Sequence, residues 1–286
     1  MLLGLCLTSA VALGNITAFT LYTYTEVSKG IVCAETIHQA ATDSDLQEQR
    51  GNHKLARWKN WQPDGHIQIK DHWFRYDPTS PWIIKGADMQ IEPGQKIALV
   101  GRSGAGKSTL LKVLLKLYNN LDNGDRILFD TIKLSDQKLS DIPTLILRKN
   151  IFTIPQDPTV LNGSVSYNLD PLSRYSAKEH VSILESVELS KDVLHKPASE
   201  LSLGQRQLLH LGRILLAKPK VILMDEATAN IDYKTQAILK NILNNDLKQS
   251  TLISISHRED WIEGYDKVYL FGSDGSVSLK VKAPQA

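Results

Sequence analysis

The chain has almost no charge imbalance and few cysteines. It carries 33 basic and 31 acidic residues, a net charge of +2, so a surface built mainly for nucleic acid is not indicated. Cys6 and Cys33 form no recognisable pair or metal motif, which makes a reducing compartment the default expectation. What remains is ordinary globular composition over 286 residues, enough for one large domain and an appendage.

Charge is also missing locally, because residues 1–25 contain no Asp, Glu, Lys or Arg. A membrane span needs about 20 mostly apolar residues, so the run is long enough, and a transmembrane helix is the favoured interpretation. A signal peptide would need an early positive charge, but the first basic residue is Lys29. A buried soluble helix stays open, since Ser9, Asn15 and several threonines dilute the hydrophobicity. The basic residues that follow predict a cytoplasmic location for the C-terminal side of a span.

The most informative stretch fits the phosphate-binding pattern G-x-x-x-x-G-K-[ST]. An apolar run at 96–100 precedes it as a predicted strand, and an apolar run continuing to Leu117 follows it as a predicted helix. Strand, glycine loop and helix together direct backbone N–H groups at anionic phosphate, which disfavours an ordinary Gly-rich turn. In this pattern Lys107 reaches the β- and γ-phosphates and Ser108 ligates Mg²⁺. The predicted nucleotide loop is Gly101, Arg102, Ser103, Gly104, Ala105, Gly106, Lys107, Ser108 and Thr109.

Strands and helices alternate along the rest of the chain, which predicts an α/β sheet. Asp225 and Glu226 close an apolar strand, at the edge where α/β sheets bind ligands. Asp225 is predicted to hold Mg²⁺ and Glu226 to polarise the attacking water, rather than to form a merely solvated strand end. Strands are predicted at 66–70, 126–129, 151–154, 220–224 and 251–255, helices at 176–189, 201–216 and 235–247, and a hairpin at 268–281.

One further motif decides which kind of nucleotide protein the chain resembles. Residues 201–205 place Ser202 as a helix N-cap before a helix with an apolar face. The stretch resembles the LSGGQ signature of ATP-binding cassette proteins. The glycine loop, Gln156, the stretch 229–232 and His257 stand in that family's order.

The chain is most similar to the second cassette of C-subfamily, multidrug-resistance-associated exporters. The stretches 154–158, 168–171 and 201–209 carry that resemblance. It covers about 66–280 firmly, and residues 1–60 more weakly resemble the end of a last membrane helix and a linker. The implied fold is a P-loop NTPase of the ABC type with a helical subdomain. The implied domains are the end of a membrane domain at 1–30, a linker at 31–65 and the nucleotide-binding domain at 66–286.

The resemblance also implies roles for individual residues. Tyr76 resembles the aromatic that stacks on adenine, although a core aromatic beside Trp73 and Phe74 is the alternative. Asp232 resembles the aspartate that communicates across a head-to-tail cassette dimer. The implied catalytic residues are Glu226, His257 and Gln156, the Mg²⁺ ligands are Ser108, Gln156 and Asp225, and the residues serving the partner's ATP are Ser202, Gly204 and Gln205.

The sequence departs from the family's pattern in three places. The stretch 196–200 stands where glycines normally lead into the signature, and Leu203 replaces the signature's central glycine. Thr131 follows Asp130 where glycine is favoured, which we expect to be a small change in a peripheral turn.

Two functional classes besides the exporter ATPase stay open. One is a regulatory module in which nucleotide gates a channel, and the other is a soluble cassette ATPase acting on DNA or ribosomes. The intact Glu226 favours hydrolysis, and the uncharged N-terminal run disfavours the soluble class. The implied partners are a second cassette, transmembrane domains and a lipid membrane, without nucleic acid, and the nucleotide-binding domain is expected in the cytoplasm.

Overall fold

The computed structural model describes residues 55–77, 79–118, 130–228, 231–256 and 258–280. The predicted membrane helix at 1–30, most of the predicted linker and the predicted strand at 126–129 lie outside these residues, as does His257. Within the described ranges, no helix combines the length and the apolar character needed to cross a membrane.

The described chain folds from alternating strands and helices, as the sequence predicted. The strands are β1 (Ile67–Phe74), β2 (Ile84–Ile91), β3 (Lys96–Gly101), β4 (Ile132–Leu134), β5 (Gln137–Lys138), β6 (Ile151–Ile154), β7 (Val221–Asp225), β8 (Thr251–Ile255), β9 (Lys267–Phe271) and β10 (Val277–Lys280). The helices are α1 (Leu55–Trp58), α2 (Lys107–Leu114), α3 (Thr144–Asn150), α4 (Val165–Leu169), α5 (Ala177–Ser186), α6 (Leu203–Ala217), α7 (Tyr233–Asn244) and α8 (Glu259–Ile262). Two 3₁₀ turns, Lys191–Val193 and Ala198–Glu200, lie between α5 and α6.

Two sheets organise these elements. Six strands form one sheet in the order β10-β9-β3-β8-β7-β6, in which only β10 is antiparallel to its neighbour. The second sheet is antiparallel, in the order β2-β1-β4-β5. Because β3, β7 and β8 are central and parallel, their carboxyl ends meet at one edge, where α/β sheets place ligands.

The central strands are apolar on both faces, and each face packs against a separate hydrophobic core. In β3, Ile97 and Leu99 pack with the antiparallel sheet and α2, whereas Ala98 packs with α6 and α7 on the other side. Successive side chains of a strand point to opposite faces, so a continuous apolar run is what a sheet covered on both sides requires. The first core contains the glycine-loop helix and the second contains the helix after the signature.

Core side chains begin before the residue at which the sequence predicted the compact domain to start. The compact unit runs from Trp58, which is 4% exposed and stacks edge-on against Trp61 with ring centroids 5.4 Å apart. The domain boundaries otherwise stay predictions.

Thr131 has a larger role than a peripheral turn requires. Its hydroxyl lies 2.8 Å from Nδ1 of His72, a side chain with no exposed surface. Burial lowers the pKa of His72 to about 4, so the imidazole is held neutral. A glycine at position 131 would remove this partner from a buried polar ring, and the expectation of a small change there was wrong.

Candidate functional site

The glycine loop connects β3 to α2 through backbone that side chains would obstruct. A Cβ on Gly101 would lie 2.5 Å from the carbonyl oxygen of Phe271. Gly106 has a φ of 93°, and a Cβ there would lie 2.9 Å from Cγ2 of Ile83. Both positions therefore require glycine, because the loop packs closely against the end of β9 and against the residue before β2.

Lys107 begins α2 and turns its amino group back over the loop. Nζ donates to the carbonyl oxygens of Gly101 and Arg102, at 2.8 Å each. Burial lowers the pKa of Lys107, and the nearby carboxylates of Glu226 and Asp225 oppose that shift. The amino group thus lies beside the loop carbonyls and within the field of the two acidic residues.

Ser108 and Asp225 meet at the same edge of the sheet. The Ser108 hydroxyl donates to Oδ1 of Asp225 across 3.1 Å, although 117 residues separate them in sequence. Burial raises the pKa of Asp225, while the Ser108 hydrogen bond lowers it. A hydroxyl and a carboxylate at this spacing supply the hard oxygen donors that Mg²⁺ prefers, so these residues fit the predicted cation.

Among the described residues, Ser108 and Asp225 do not belong to a larger cluster of metal-binding side chains. Among the residues placed by the structure, no group of three or more His, Cys, Asp and Glu side chains could hold a metal ion. Mg²⁺ commonly keeps several waters and takes phosphate oxygens alongside one or two carboxylates, which agrees with this sparse set.

Glu226 adopts an unusual backbone conformation directly after β7. Its φ is 47°, in the left-handed region that few residues other than glycine occupy. Its backbone N–H donates to the carbonyl oxygen of Ile255 at 3.2 Å, which extends the pairing between β7 and β8. This bond to the neighbouring strand holds the backbone of Glu226 at the carboxyl edge of the sheet, next to Asp225.

Tyr76 follows β1 and contacts the helix that begins at the glycine loop. Its hydroxyl lies 2.9 Å from Oγ1 of Thr109, and its ring meets Phe74 and Tyr118 edge-on, with centroids 5.3 Å apart in each pair. Burial and the Tyr76 hydrogen bond raise the pKa of Tyr118 to about 12. Tyr76 is 45% exposed, so it is not the core aromatic that the sequence left open.

Gln156 lies exposed after β6, and a buried glutamine from α6 holds the residue before it. Gln207 is 2% exposed, and its Nε2 donates to the carbonyl oxygens of Pro155 at 3.3 Å and Ala227 at 3.4 Å. The backbones beside Gln156 and Glu226 are therefore joined through one side chain. Sequence reasoning missed Gln207, whose only signal is a polar residue on the apolar face of a predicted helix.

Ser202 caps α6, as the sequence predicted. Its hydroxyl accepts from the backbone N–H of Gln205 at 3.3 Å, and Oε1 of Gln205 accepts from the backbone N–H of Ser202 at 3.0 Å. Ser202 is exposed, and Leu203 is 38% exposed. A Cβ on Gly204 would lie 3.1 Å from Oγ1 of Thr235 and 3.7 Å from Oδ2 of Asp232, so the signature packs against the start of α7.

The segment before the signature is ordered without glycines. Arg206 donates from Nε to the carbonyl oxygen of Leu201 at 2.9 Å and from Nη2 to that of Ser199 at 2.8 Å. The backbone N–H of Ala198 donates to the carbonyl oxygen of Gly163 at 2.9 Å. These bonds fix the approach to Ser202 in place of the family's usual glycines.

The structure brings some predicted residues together and leaves others apart. Lys107, Ser108, Asp225 and Glu226 gather at the carboxyl edge of the central strands. Asp232 caps α7 by accepting from the backbone N–H of Thr235 at 2.7 Å. His257 and the stretch 229–230 lie outside the described residues.

Comparisons with known proteins agree with these motifs. The family model described as "ABC transporter" matches residues 84–229. An ABC transporter ATP-binding protein/permease of Saccharomyces cerevisiae is 33% identical over 78% of this chain and 15% of its own length. A pleiotropic ABC efflux transporter of multiple drugs from Candida glabrata is 36% identical over 73% of this chain and 14% of its own length. ATP-binding cassette sub-family C member 2 of Rattus norvegicus is 36% identical over 73% of this chain and 14% of its own length. The chain thus spans about one seventh of the length of these relatives.

Proposed function

Because this chain belongs to the ABC transporter family, we propose that it powers an exporter of the C subfamily, one that moves an organic anion or drug-like solute across a membrane. The chain carries the ATP-binding and ATP-hydrolysing domain of that family. The observation that best supports the ATP site is the convergence of Lys107, Ser108 and Asp225 at one edge of the central sheet.

The glycine loop binds ATP through backbone N–H groups and Lys107. The main-chain N–H groups of the loop donate to the phosphates, and Lys107 exchanges its carbonyl partners for phosphate oxygens. The half-exposed ring of Tyr76 offers a surface on which adenine can stack.

Ser108, Asp225 and Gln156 would hold Mg²⁺. When bound, the ion would supply positive charge that stabilises the transferring phosphoryl group. Glu226 takes the proton of the attacking water as the water oxygen bonds to the γ-phosphorus and the bond to ADP breaks, so that ADP and phosphate leave. Gln156 orients that water, and His257 contacts the γ-phosphate. In phosphoryl transfer the protein mainly positions groups and stabilises charge, which suits side chains fixed at strand ends.

The proposed function requires a second cassette. We propose that it docks head to tail, so that the exposed Ser202 and the half-buried Gly204 and Gln205 serve the ATP bound on the partner's glycine loop. The transmembrane domains of the same transporter supply the pathway, the cassette works on the cytoplasmic side, and no nucleic acid takes part. A nucleotide-gated regulatory module that carries out no active transport is the alternative, and a measurement of ATP-driven solute transport by the complete transporter separates the two.

Calorimetry of Mg-ATP binding with and without Lys107→Ala tests the nucleotide site. The variant removes the charged partner of the phosphates, and we expect at least about a tenfold loss of affinity. Lys178→Ala, an exposed lysine of α5, is the matched control and should bind as the wild type does. Equal affinity in all three proteins would exclude the assignment.

A further inference from the structure

A buried glutamine in the first turns of α7 holds the backbone between the predicted catalytic base and the helix. Gln236 is 8% exposed. Its Nε2 donates to the carbonyl oxygens of Thr228 at 3.2 Å and Ile231 at 2.8 Å. These two carbonyls stand on either side of residues 229–230, so both ends of the link between Glu226 and Asp232 are attached to one side chain.

The oxygen of the same side-chain amide accepts a hydrogen bond from a different loop. Nη1 of Arg258 donates to Oε1 of Gln236 at 2.8 Å. Arg258 also lies over the Tyr233 ring, 5.5 Å from its centroid, and its backbone N–H donates to Oγ of Ser256 at 3.2 Å. Arg258 comes directly after His257, so the amide joins the loop after β8 to the link that follows β7.

We propose that Gln236 is a positioning residue that couples the link 228–231 to Arg258, so that the segments after Glu226 and after His257 move as one unit. The proposal rests on the function proposed above, because it concerns residues next to two of its catalytic groups. Gln236 acts through Arg258 and through the backbone carbonyls of Thr228 and Ile231.

Helix capping does not account for Gln236. Asp232 already caps α7 by accepting from the backbone N–H of Thr235. The bonds of Gln236 go instead to carbonyls outside the helix and to a side chain from another loop.

The amide is required because it both donates and accepts. A carboxylate at position 236 would keep the acceptor for Arg258 and lose both donors, and leucine would lose all three bonds. A buried polar group without its hydrogen-bond partners is costly in free energy. The carboxylate should therefore loosen residues 228–231, and leucine should loosen both residues 228–231 and the loop around Arg258.

Hydrogen exchange on the 286-residue chain without nucleotide tests the coupling independently of any ATPase activity. Arg258→Met should speed exchange of the backbone amides around residues 228–231 by about tenfold, although that segment is distant in sequence. Gln236→Leu should loosen the same segment and the loop around Arg258 together. Asn241→Leu, an exposed amide of α7, is the control and should change neither segment. Effects of Arg258→Met confined to residues 256–262 would overturn the proposal.

Gln236→Glu separates the two sides of the amide and keeps the test available if the leucine variant fails to fold. Because the carboxylate can still accept from Arg258, the loop after β8 should loosen less than residues 228–231 do. Equal loosening of both segments, or of neither, would contradict the assigned bonds.

Turnover links the coupling to the proposed function. Gln236→Leu and Arg258→Met should each lower kcat by about tenfold or more, while Mg-ATP affinity stays within about twofold. Because both act through one contact, the double variant should be no slower than the worse single variant. Multiplicative losses, or wild-type kcat in either single variant, would overturn the proposal. A chain that binds no ATP would refute the proposed function and leave the exchange result standing.

Discussion

The glycine-loop region and the signature region differ in where their polar groups point. Around the glycine loop, side chains from separate elements contact one another: Lys107 bonds back to the loop carbonyls, and Ser108 meets Asp225. At the signature, Ser202 and Gln205 satisfy each other within a single helix turn, and Ser202 is exposed. The first region assembles a site from its own chain, and the second presents a surface.

The physical cost of the two arrangements differs accordingly. Burial lowers the pKa of Lys107 and raises that of Asp225, and the charge of each residue opposes the shift of the other. A capping box at an exposed helix start contributes about 1 kcal/mol and demands no burial. We therefore expect the glycine-loop region to bind its ligand without a partner, and the exposed cap to act on a partner that docks against it.

The largest expected effect lies at Glu226, where the chemistry is proposed to occur. Glu226→Gln keeps the shape and hydrogen-bonding capacity but cannot take a proton at neutral pH. Loss of a general base typically lowers the rate by about 10²–10⁴-fold, while ATP affinity should stay near normal. Slow hydrolysis should also prolong an ATP-bound dimer with a partner cassette. Phosphate release and size-exclusion chromatography with ATP and Mg²⁺ measure the two effects.

Glu185→Gln, an exposed carboxylate of α5, is the control for this substitution and should leave turnover unchanged. Wild-type turnover in Glu226→Gln would remove that residue from the mechanism. Lost ATP binding would instead make Glu226 a structural residue, and the glycine-loop region would then not be self-sufficient.

A smaller effect should appear in acid, on the glycine-loop side of the molecule. Burial lowers the pKa of His72 from 6.5 to about 4, so the unfolded chain binds more protons between those values. The free energy of unfolding should therefore fall as the pH drops through that window, by about 3 kcal/mol in all. On the signature side, burial also lowers the pKa of His210, but its bond to the carbonyl of Thr153 opposes the shift.

Urea unfolding between pH 7 and pH 4 measures this loss. His72→Leu should be less acid-sensitive than the wild type by about 3 kcal/mol, because one proton linkage is gone. His195→Gln, an exposed histidine, is the control and should follow the wild-type profile. Parallel profiles for His72→Leu and the wild type would show that His72 is not held neutral.

Local pattern predicted much of the fold, and long-range contacts decided the rest. The strand before the glycine loop and the N-cap at Ser202 were predicted correctly, because both depend on neighbouring residues. The helix after the loop was expected to continue to Leu117, but it ends at Leu114. The chain leaves the helical conformation by Lys116, whose φ is 51°. Nζ of Lys116 donates to the carbonyl oxygens of Ser140 and Ile142.

The residues that the sequence did not reveal share this cause. The structural roles of Gln207 and Gln236 depend on hydrogen bonds to carbonyl groups of other segments. The role of Thr131 depends on a histidine 59 residues away. No local spacing encodes such partners. Motif order identified the side chains expected to do chemistry, and the fold was needed to find those that hold them in place.

The most direct test of the difference between the two regions is the Mg-ATP affinity of the monomeric chain carrying Ser202→Arg. A bulky charge at the exposed cap should block a docking partner without touching the chain's own glycine loop. Calorimetry, at concentrations where sedimentation shows a monomer, should give an affinity within about twofold of the wild type, beside the large loss in Lys107→Ala. A loss in Ser202→Arg as large as that in Lys107→Ala would contradict the account, because the signature would then serve the chain's own nucleotide.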